Sequence, residues 1–369
     1  MSEGSSAYER AGVDYGVLDA AKRRSLAAVL SSLGAPSPRG ARVEPTSVGE
    51  PAQLFEVDGL VLATVLECLG TKSEIARSFE EAGGASSWAA IGRDSVAAIV
   101  NDLACAGALP LVVSAYLATG SSSWYAGERH AYFVEGWRAA CAEAGAAWVG
   151  GESPMLAGIV SPAGADIAGS AIGRVPAGTT PWAGERLEAG DEIVLVASSG
   201  LHANGASLAR AVAGGLERGW SEPLKSGRSF GEAVLEASRS YVALVAGLRS
   251  SELGEAVHYA SHVTGHGLRK LMRADRRLTY RLTALQEVPE VLGFIAEHAG
   301  LPAEEAYATF NMGSGFALFA RAGAGEAVAA LGAEAGYETL VAGRVEEGER
   351  RVVLEPLGVT YSSHQLELR

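Results

Sequence analysis

The stretch at residues 101–110, NDLACAGALP, sets an amide and a carboxylate side by side in an apolar segment that stops at Gly107 and Pro110. Upstream, the apolar periodicity over 93–105 predicts a helix. Asp94 and Asn101 are seven residues apart on it, so they share almost one face, and Asp102 lies beside them. No basic residue lies within several positions of Asp102. Three oxygen-bearing side chains on one edge of an apolar helix suit a hard cation such as Mg²⁺. The competing reading gives Asp94 to the helix N-terminus and Asp102 to a neighbouring loop. Downstream, LPLVVSAYLAT (109–119) is nearly continuous in apolar and β-branched residues, and it predicts a buried strand with two apolar faces.

Working outward, residues 14–33 read as a helix with Val17, Leu18, Ala21, Leu26, Val29 and Leu30 on one face. A Pro/Gly/Ser-rich irregular stretch spans 34–52. Two strands flank the Asp58-Gly59 turn. Helices follow over 73–79 and over 128–144, with strands at AAWVGG and ADIAGSAIGRV. The segment GERLEAGDEIVLVASSG then looks like a second beginning, with a core strand over 193–196. A boundary near 176–184 divides the chain into an N-terminal domain, 1–176, and a C-terminal domain, 177–369. In the second half, helices are expected over 207–213, 231–248, 267–272, 289–298 and 326–331. Strands are expected near Tyr259, over 278–282 and 315–320, and around Val341 and Val352.

A chain of 369 residues suits two domains, and 48% hydrophobic residues with 47 glycines supply a large core. The formal charge of −13 disfavours nucleic acid, whose phosphates need a basic surface. Cys68, Cys105 and Cys141 are scattered and odd in number, which predicts buried free thiols rather than disulfides or a zinc site. The polar start, MSEGSSAYERAG, has no signal-peptide core, and no apolar run reaches a membrane span of about 18 residues. A cytoplasmic protein is expected.

Further motifs close strands with glycine-rich turns. ECLGTK (67–72) places Glu67, the Gly70-Thr71 turn and Lys72 where they can hold a phosphate or a metal–phosphate. VGGES (149–153) pairs Gly150 and Gly151 with the acid Glu152. SSGLHANGASLAR (198–210) runs from a strand end into a helix, with His202 and Asn204 near a helix N-terminus, an anion-binding arrangement. HVTGHGL (262–268) sets His262, Thr264 and Gly265 before another helix, and TFNMGSGF (309–316) sets Asn311 before a strand. Each alone is compatible with a plain turn. Together they predict one cleft between two domains, with metal–phosphate chemistry on one wall. No phosphate-binding GxxxxGK[ST] loop, GxSxG elbow or HExxH pair occurs.

In this order and at these distances, YERAGVD, VNDLACAGALP, YLATG, VGGE, SSGLHANGASLAR, HVTGHGL and TFNMGSG resemble the phosphoribosylformylglycinamidine cyclo-ligases, or aminoimidazole ribonucleotide synthetases, of purine biosynthesis. The ND-x4-GA-x-P element is shared with a wider superfamily that includes selenophosphate synthetase and thiamine-monophosphate kinase. The resemblance implies an α+β fold of two domains whose N-terminal domains pair into a β-barrel across a homodimer. It implies Mg²⁺-ATP and formylglycinamidine ribonucleotide as substrates: ATP phosphorylates an amide oxygen, then an internal nitrogen attacks and closes the ring. By motif, Glu67, Asp94, Asp102 and Glu152 would serve the metal. Gly70, Thr71, Lys72, Asn101, Gly151, Gly265 and Asn311 would serve nucleotide and phosphates. His202, Asn204, His262 and Thr264 would line the substrate side, with Lys72, His202 and His262 as the catalytic candidates. A paralogue that uses ATP on a different small molecule is the alternative.

The chain departs from the family in specific places. The family's DGVGTK is ECLGTK here, so Glu67 replaces Asp and Cys68 replaces Gly. His266 stands at the middle glycine of the family's H-[IL]-T-G-G-G, and Leu26 stands where the family has a lysine. The segment before the first long strand, usually glycine-rich, holds only Gly49, and the second acid after GGE is absent.

Overall fold

The computed structural model describes residues 15–33 and 40–366; the YERAGVD motif at 8–14 lies outside them. Six strands form the first sheet: β1 (Arg42–Val43), β2 (Gln53–Val57), β3 (Leu60–Cys68), β4 (Leu109–Thr119), β5 (Ala147–Glu152) and β6 (Ala165–Arg174). Their order is β1-β2-β3-β6-β4-β5, antiparallel throughout except for β4 with β5. Asp58 and Gly59 close the β2–β3 hairpin with φ of 50° and 78°; two left-handed central residues match the twist of the flanking strands.

Alternation along these strands separates two faces. Ala63, Val65, Val113, Ile167 and Ala171 are buried on the inner face. The outer face is open, with Leu66 77% exposed and Leu111 and Ile172 also exposed. LPLVVSAYLAT is therefore open on one side near Leu111, whereas Leu117, Ala118 and Thr119 at its end are all buried. Val29 and Leu30 of the helix Tyr15–Ser32 are exposed too, so part of the apolar face expected there is uncovered.

Helix Trp88–Cys105 lies under the inner face. It starts five residues before the expected position 93, because Trp88 and Ile91 are fully buried anchors. Its neighbour is helix Glu128–Glu143, and glycines allow the close approach. A Cβ on Gly92 would stand 2.4 Å from the Phe133 carbonyl oxygen, and one on Gly136 would stand 2.0 Å from that of Ala89.

The second sheet holds β7 (Glu192–Ala197), β8 (Val257–His262), β9 (Leu278–Leu282), β10 (Ser314–Ala320), β11 (Thr339–Glu347), β12 (Arg351–Leu354) and β13 (Val359–Ser362). The order is β13-β12-β9-β11-β7-β10-β8, with only β12 and β9 parallel. The α+β class is as expected. Helix Trp88–Cys105 joins the two sheets: Ile99, Val100 and Leu103 belong to one core, while Ala104 and Cys105 pack into another with Val257, Ala260 and Phe316. Asn101 and Asp102 are thereby delivered to the junction.

The helix expected over 231–248 is broken into Phe230–Val234 and Val242–Arg249. The backbone between them leaves the helix to bond with distant groups. The Ser238 amide donates to Asp94, the Tyr241 amide donates to Asn101 Oδ1, and the Arg239 carbonyl accepts from Asn101 Nδ2. The Glu236 and Ala237 carbonyls accept from Lys72 and Ser199. The segment expected as a helix over 267–272 is 3-10, and helix Ala303–Thr309 lay outside the sequence expectations.

Candidate active site

A cavity of about 410 Å³ opens where the two sheets meet. Strand β3 ends at its rim with Glu67 and Cys68, and Gly70, at φ 69°, turns the chain into helix Lys72–Glu81. Helix Trp88–Cys105 contributes Asn101 and Asp102. The loop after β7 contributes residues 202–207, ending at the first turn of helix Ala206–Gly215. The end of β8 contributes His262, the loop after it residues 264–266, and the 3-10 turn Gly267–Met272 contributes Lys270. Four motifs far apart in sequence thus share one cavity, with two helix N-termini facing it, an arrangement that favours anions.

The partner of the buried Asp102 is a histidine: His262 Nδ1 lies 2.7 Å from Asp102 Oδ1. Burial pushes the Asp102 carboxyl up, but the hydrogen bond and charge of His262, with Lys270 and Arg273 behind, outweigh it and hold the pKa below the ordinary value. An ionised Asp102 makes His262 Nδ1 the donor. Glu67 sits beside Asp102. Burial and the Asp102 charge push its carboxyl up to about 7, against the pull of Lys270. Lys270 is itself buried and donates to Thr264 Oγ1. Burial, with Arg273 nearby, pushes its ammonium down to about 8.

His202 adopts the left-handed region at φ 60°, and its Nε2 accepts from the Ser199 amide at 3.1 Å. That bond places the proton on Nδ1, which is buried and has no partner among the described residues. Burial, then the charges of His262 and Lys72, hold the His202 pKa well below its ordinary value, so the ring is neutral near pH 7. Asn204, Thr264 and Gly265 line the cavity, and Thr71 Oγ1 meets Ser207 Oγ at 3.3 Å. Asn101 also lines it, but its amide is spent on the Arg239 and Tyr241 backbone.

Other expected site residues lie elsewhere. Lys72 and Asp94 are each fully buried and pair with one another, Nζ to Oδ2 at 2.7 Å. Asp94 also accepts from the Ser238 amide at 2.6 Å and hydroxyl at 2.5 Å. Burial raises its pKa against the pull of Lys72. In this arrangement Asp94 has an ammonium for its partner where a metal was expected, and Lys72 has a carboxylate where a phosphate was expected. Neither lines the cavity. Gly151 and Glu152 are exposed on the edge strand β5, away from the cavity lining. Asn311 clamps two loops: Oδ1 accepts from Ser198 Oγ and the Gly313 amide, and Nδ2 donates to the Gly200 carbonyl. Of the thiols, Cys68 is exposed at the cavity, contrary to expectation, while Cys105 and Cys141 are buried.

Lys270 and Ser238 were missing from the sequence expectation. Lys270 follows the HVTGHGL motif in the segment expected as a helix over 267–272, and Ser238 lay inside the helix expected over 231–248. The glycine-poor segment before β2 is tied to the second half: Arg273 donates to the Gly49 carbonyl at 2.7 Å and Tyr259 to Glu50 at 2.9 Å. Away from the cavity, Glu188, Asp191 and His258 bring ligand atoms within 4.8 Å of one another. No helix among the described residues is long and apolar enough to cross a membrane.

The sequence matches the family described as AIR synthase related protein, its N-terminal domain over residues 49–175 and its C-terminal domain over residues 188–355. A Carboxydothermus hydrogenoformans protein named phosphoribosylformylglycinamidine cyclo-ligase is 34% identical over 316 residues, 84% of this chain and 85% of that protein. One of the same name from Symbiobacterium thermophilum is 36% identical over 276 residues, 72% and 76% of the two chains. A solved structure of hydrogenase maturation protein HypE in complex with ATP has a TM-score of 0.58 at 19% identity, covering 84% of this chain and 87% of that one.

Proposed function

The chain belongs to the AIR synthase related protein family, and from that premise we propose that it is an ATP-dependent cyclo-ligase acting on formylglycinamidine ribonucleotide. The observation that carries the proposal is the convergence of Glu67–Thr71, Asn101–Asp102, His202–Ser207 and His262–His266 on one cavity. In this reading the nucleotide phosphates lie toward the first turns of the two helices, where backbone N–H groups and Thr71 and Ser207 hydroxyls are available.

Glu67 and Asp102 fit a magnesium ion. Two carboxyls crowd at one wall, and burial together with the Asp102 charge raises the Glu67 pKa to about 7, a repulsion that a bound cation would relieve. Mg²⁺ characteristically binds one or two carboxylates together with substrate phosphates. When bound, it would neutralise phosphoryl charge. Asp94 and Glu152 are not needed for that set.

The side chains then divide the work. Asp102 orients His262 and leaves its Nε2 free to take the proton from the attacking nitrogen. Neutral His202 carries its proton on Nδ1 and donates it as a hydrogen bond to the amide oxygen that ATP phosphorylates. Asn204 and Thr264 hold the ribonucleotide in place for ring closure. The open outer face of the first sheet closes against a second copy, making a homodimer. A cytoplasmic setting is part of the same proposal.

A second reading keeps the ATP chemistry and changes the substrate. It is favoured by His266, which lines the cavity in the left-handed region at φ 73°, where the family's motif has a glycine. A coupled assay of ADP release from Mg²⁺-ATP, with and without formylglycinamidine ribonucleotide, tests the choice. Stimulation by the ribonucleotide supports the first reading. ADP release that ignores it favours the second, and a protein that neither turns over nor binds Mg²⁺-ATP sinks both.

A further inference from the structure

Lys270 has a position that neither the metal site nor the two histidines account for. It lies on the short 3-10 turn after the His262 loop, lines the cavity, and is only 9% exposed. An ammonium carries three donors. One goes to Thr264 Oγ1. The Lys270 backbone is pinned as well, its carbonyl accepting from Ser261 Oγ at 3.1 Å. Lys270 makes no ion pair with a carboxylate among the described residues, although its field reaches both Glu67 and Asp102. By contrast, the other buried lysine, Lys72, is committed to Asp94 at 2.7 Å. Burying a charge without a paired counter-charge is costly unless a ligand supplies one.

We infer that Lys270 is the phosphate-binding residue of this cavity, directing its two remaining N–H groups at a phosphoryl oxygen of the bound ligand. The Thr264 hydroxyl holds the ammonium at the cavity wall, and Glu67 and Asp102 line the same cavity. An anion bound there would meet Lys270 and any cation held by the two carboxylates. The role that sequence assigned to Lys72 in ECLGTK thus passes to a lysine on another loop. The inference rests on the proposed nucleotide reading for one source of the phosphate. The other source is a phosphate monoester on the second substrate.

Isothermal titration of the full chain separates the sources. The probes are the nonhydrolysable analogue AMP-PCP with Mg²⁺, ADP with Mg²⁺, and ribose 5-phosphate, each against wild type, Lys270→Met and Lys270→Arg. Lys270→Met should weaken one of the phosphate ligands at least tenfold, and Lys270→Arg should stay within about threefold of wild type because it keeps the charge. Loss for AMP-PCP but not ADP assigns Lys270 to the terminal phosphate. Loss for ribose 5-phosphate assigns it to the substrate monoester. If wild type binds the probes and Lys270→Met matches it within twofold on all three, the inference fails while the nucleotide reading stands. If wild type binds ribose 5-phosphate but no nucleotide, the nucleotide reading fails and the monoester arm still decides Lys270. If wild type binds none of the probes, both fail. Should Lys270→Met melt below the titration temperature, Lys270→Gln takes its place with the same expectation.

Discussion

Replacing Asp94 by Asn separates a structural acid from a metal ligand. The substitution is nearly isosteric and can keep an oxygen for the Ser238 amide and hydroxyl, now 2.6 and 2.5 Å from Oδ1. It removes the negative charge facing Lys72, and both side chains are fully buried. Breaking a buried pair by neutralising one member costs about 3–5 kcal/mol, since the remaining charge stays desolvated. Total stabilities run to about 5–15 kcal/mol, so the loss is a large fraction. Because burial already opposes ionisation of Asp94, the lower end, about 3 kcal/mol, is the expected value. Urea unfolding followed by tryptophan fluorescence measures it. The double variant Lys72→Met/Asp94→Asn leaves no orphaned buried charge and should lose less than the two single variants added together. Mn²⁺ affinity should match wild type. A stable Asp94→Asn protein that has lost Mn²⁺ binding would refute the argument and return Asp94 to the metal.

The remaining expectations concern the cavity and the open face. Asp102→Asn should fold and lose about a hundredfold in turnover, about 2.7 kcal/mol, because His262 loses the carboxylate that orients it; normal turnover would make Asp102 structural only. Glu67→Asp should lower activity by roughly tenfold. Glu67 is paired with Gly169 in the β3–β6 ladder, which holds the strand while the side chain shortens; unchanged turnover and Mg²⁺ dependence would remove Glu67 from the site. His202 is held neutral in the fold, so the unfolded chain binds the extra proton: stability is full above about pH 6.5 and falls on acidification, by at most about 1.4 kcal/mol per pH unit from this group. His202→Asn should flatten that part of a stability–pH curve, and an unchanged slope would count against a buried neutral ring. Light scattering at micromolar concentration should give a dimer, with an interface above about 2,000 Å² in total. Leu66→Glu, on the open face, should shift it to monomer; a monomeric wild type would overturn the assembly.

Local pattern made much of the fold legible. The strands flanking Asp58-Gly59 and the core strand β7 lie where their periodicity and stops put them, and the helix ends at Cys105 as expected although it begins five residues early. The broken helix shows where such reading ends. Residues 235–241 are continuous in helical pattern with their neighbours, but the groups that unwind them come from Lys72, Asp94, Asn101 and Ser199. Those partners are distant in the chain, so no window of sequence contains the conflict. Gly92 and Gly136 illustrate the converse. As helix residues they weaken propensity, yet packing of the two helices requires them.

The acids divide in the same way. The motifs supply four carboxylates of the right type, and residue type alone suggested one metal cluster. The fold gives each a different environment: Asp94 faces Lys72, Asp102 faces His262, Glu67 lies beside Asp102, and Glu152 meets solvent on β5. Which cation answers which acid is a tertiary fact, because every one of these partners lies on another element. The two lysines follow the same rule. Lys72 belongs to a motif that suggests phosphate and is consumed by Asp94, whereas Lys270 belongs to no recognised motif and, bonded to Thr264, has no carboxylate ion pair among the described residues. A motif therefore sets the chemistry available at a site, and the long-range pairing of charges decides which residue is left to perform it.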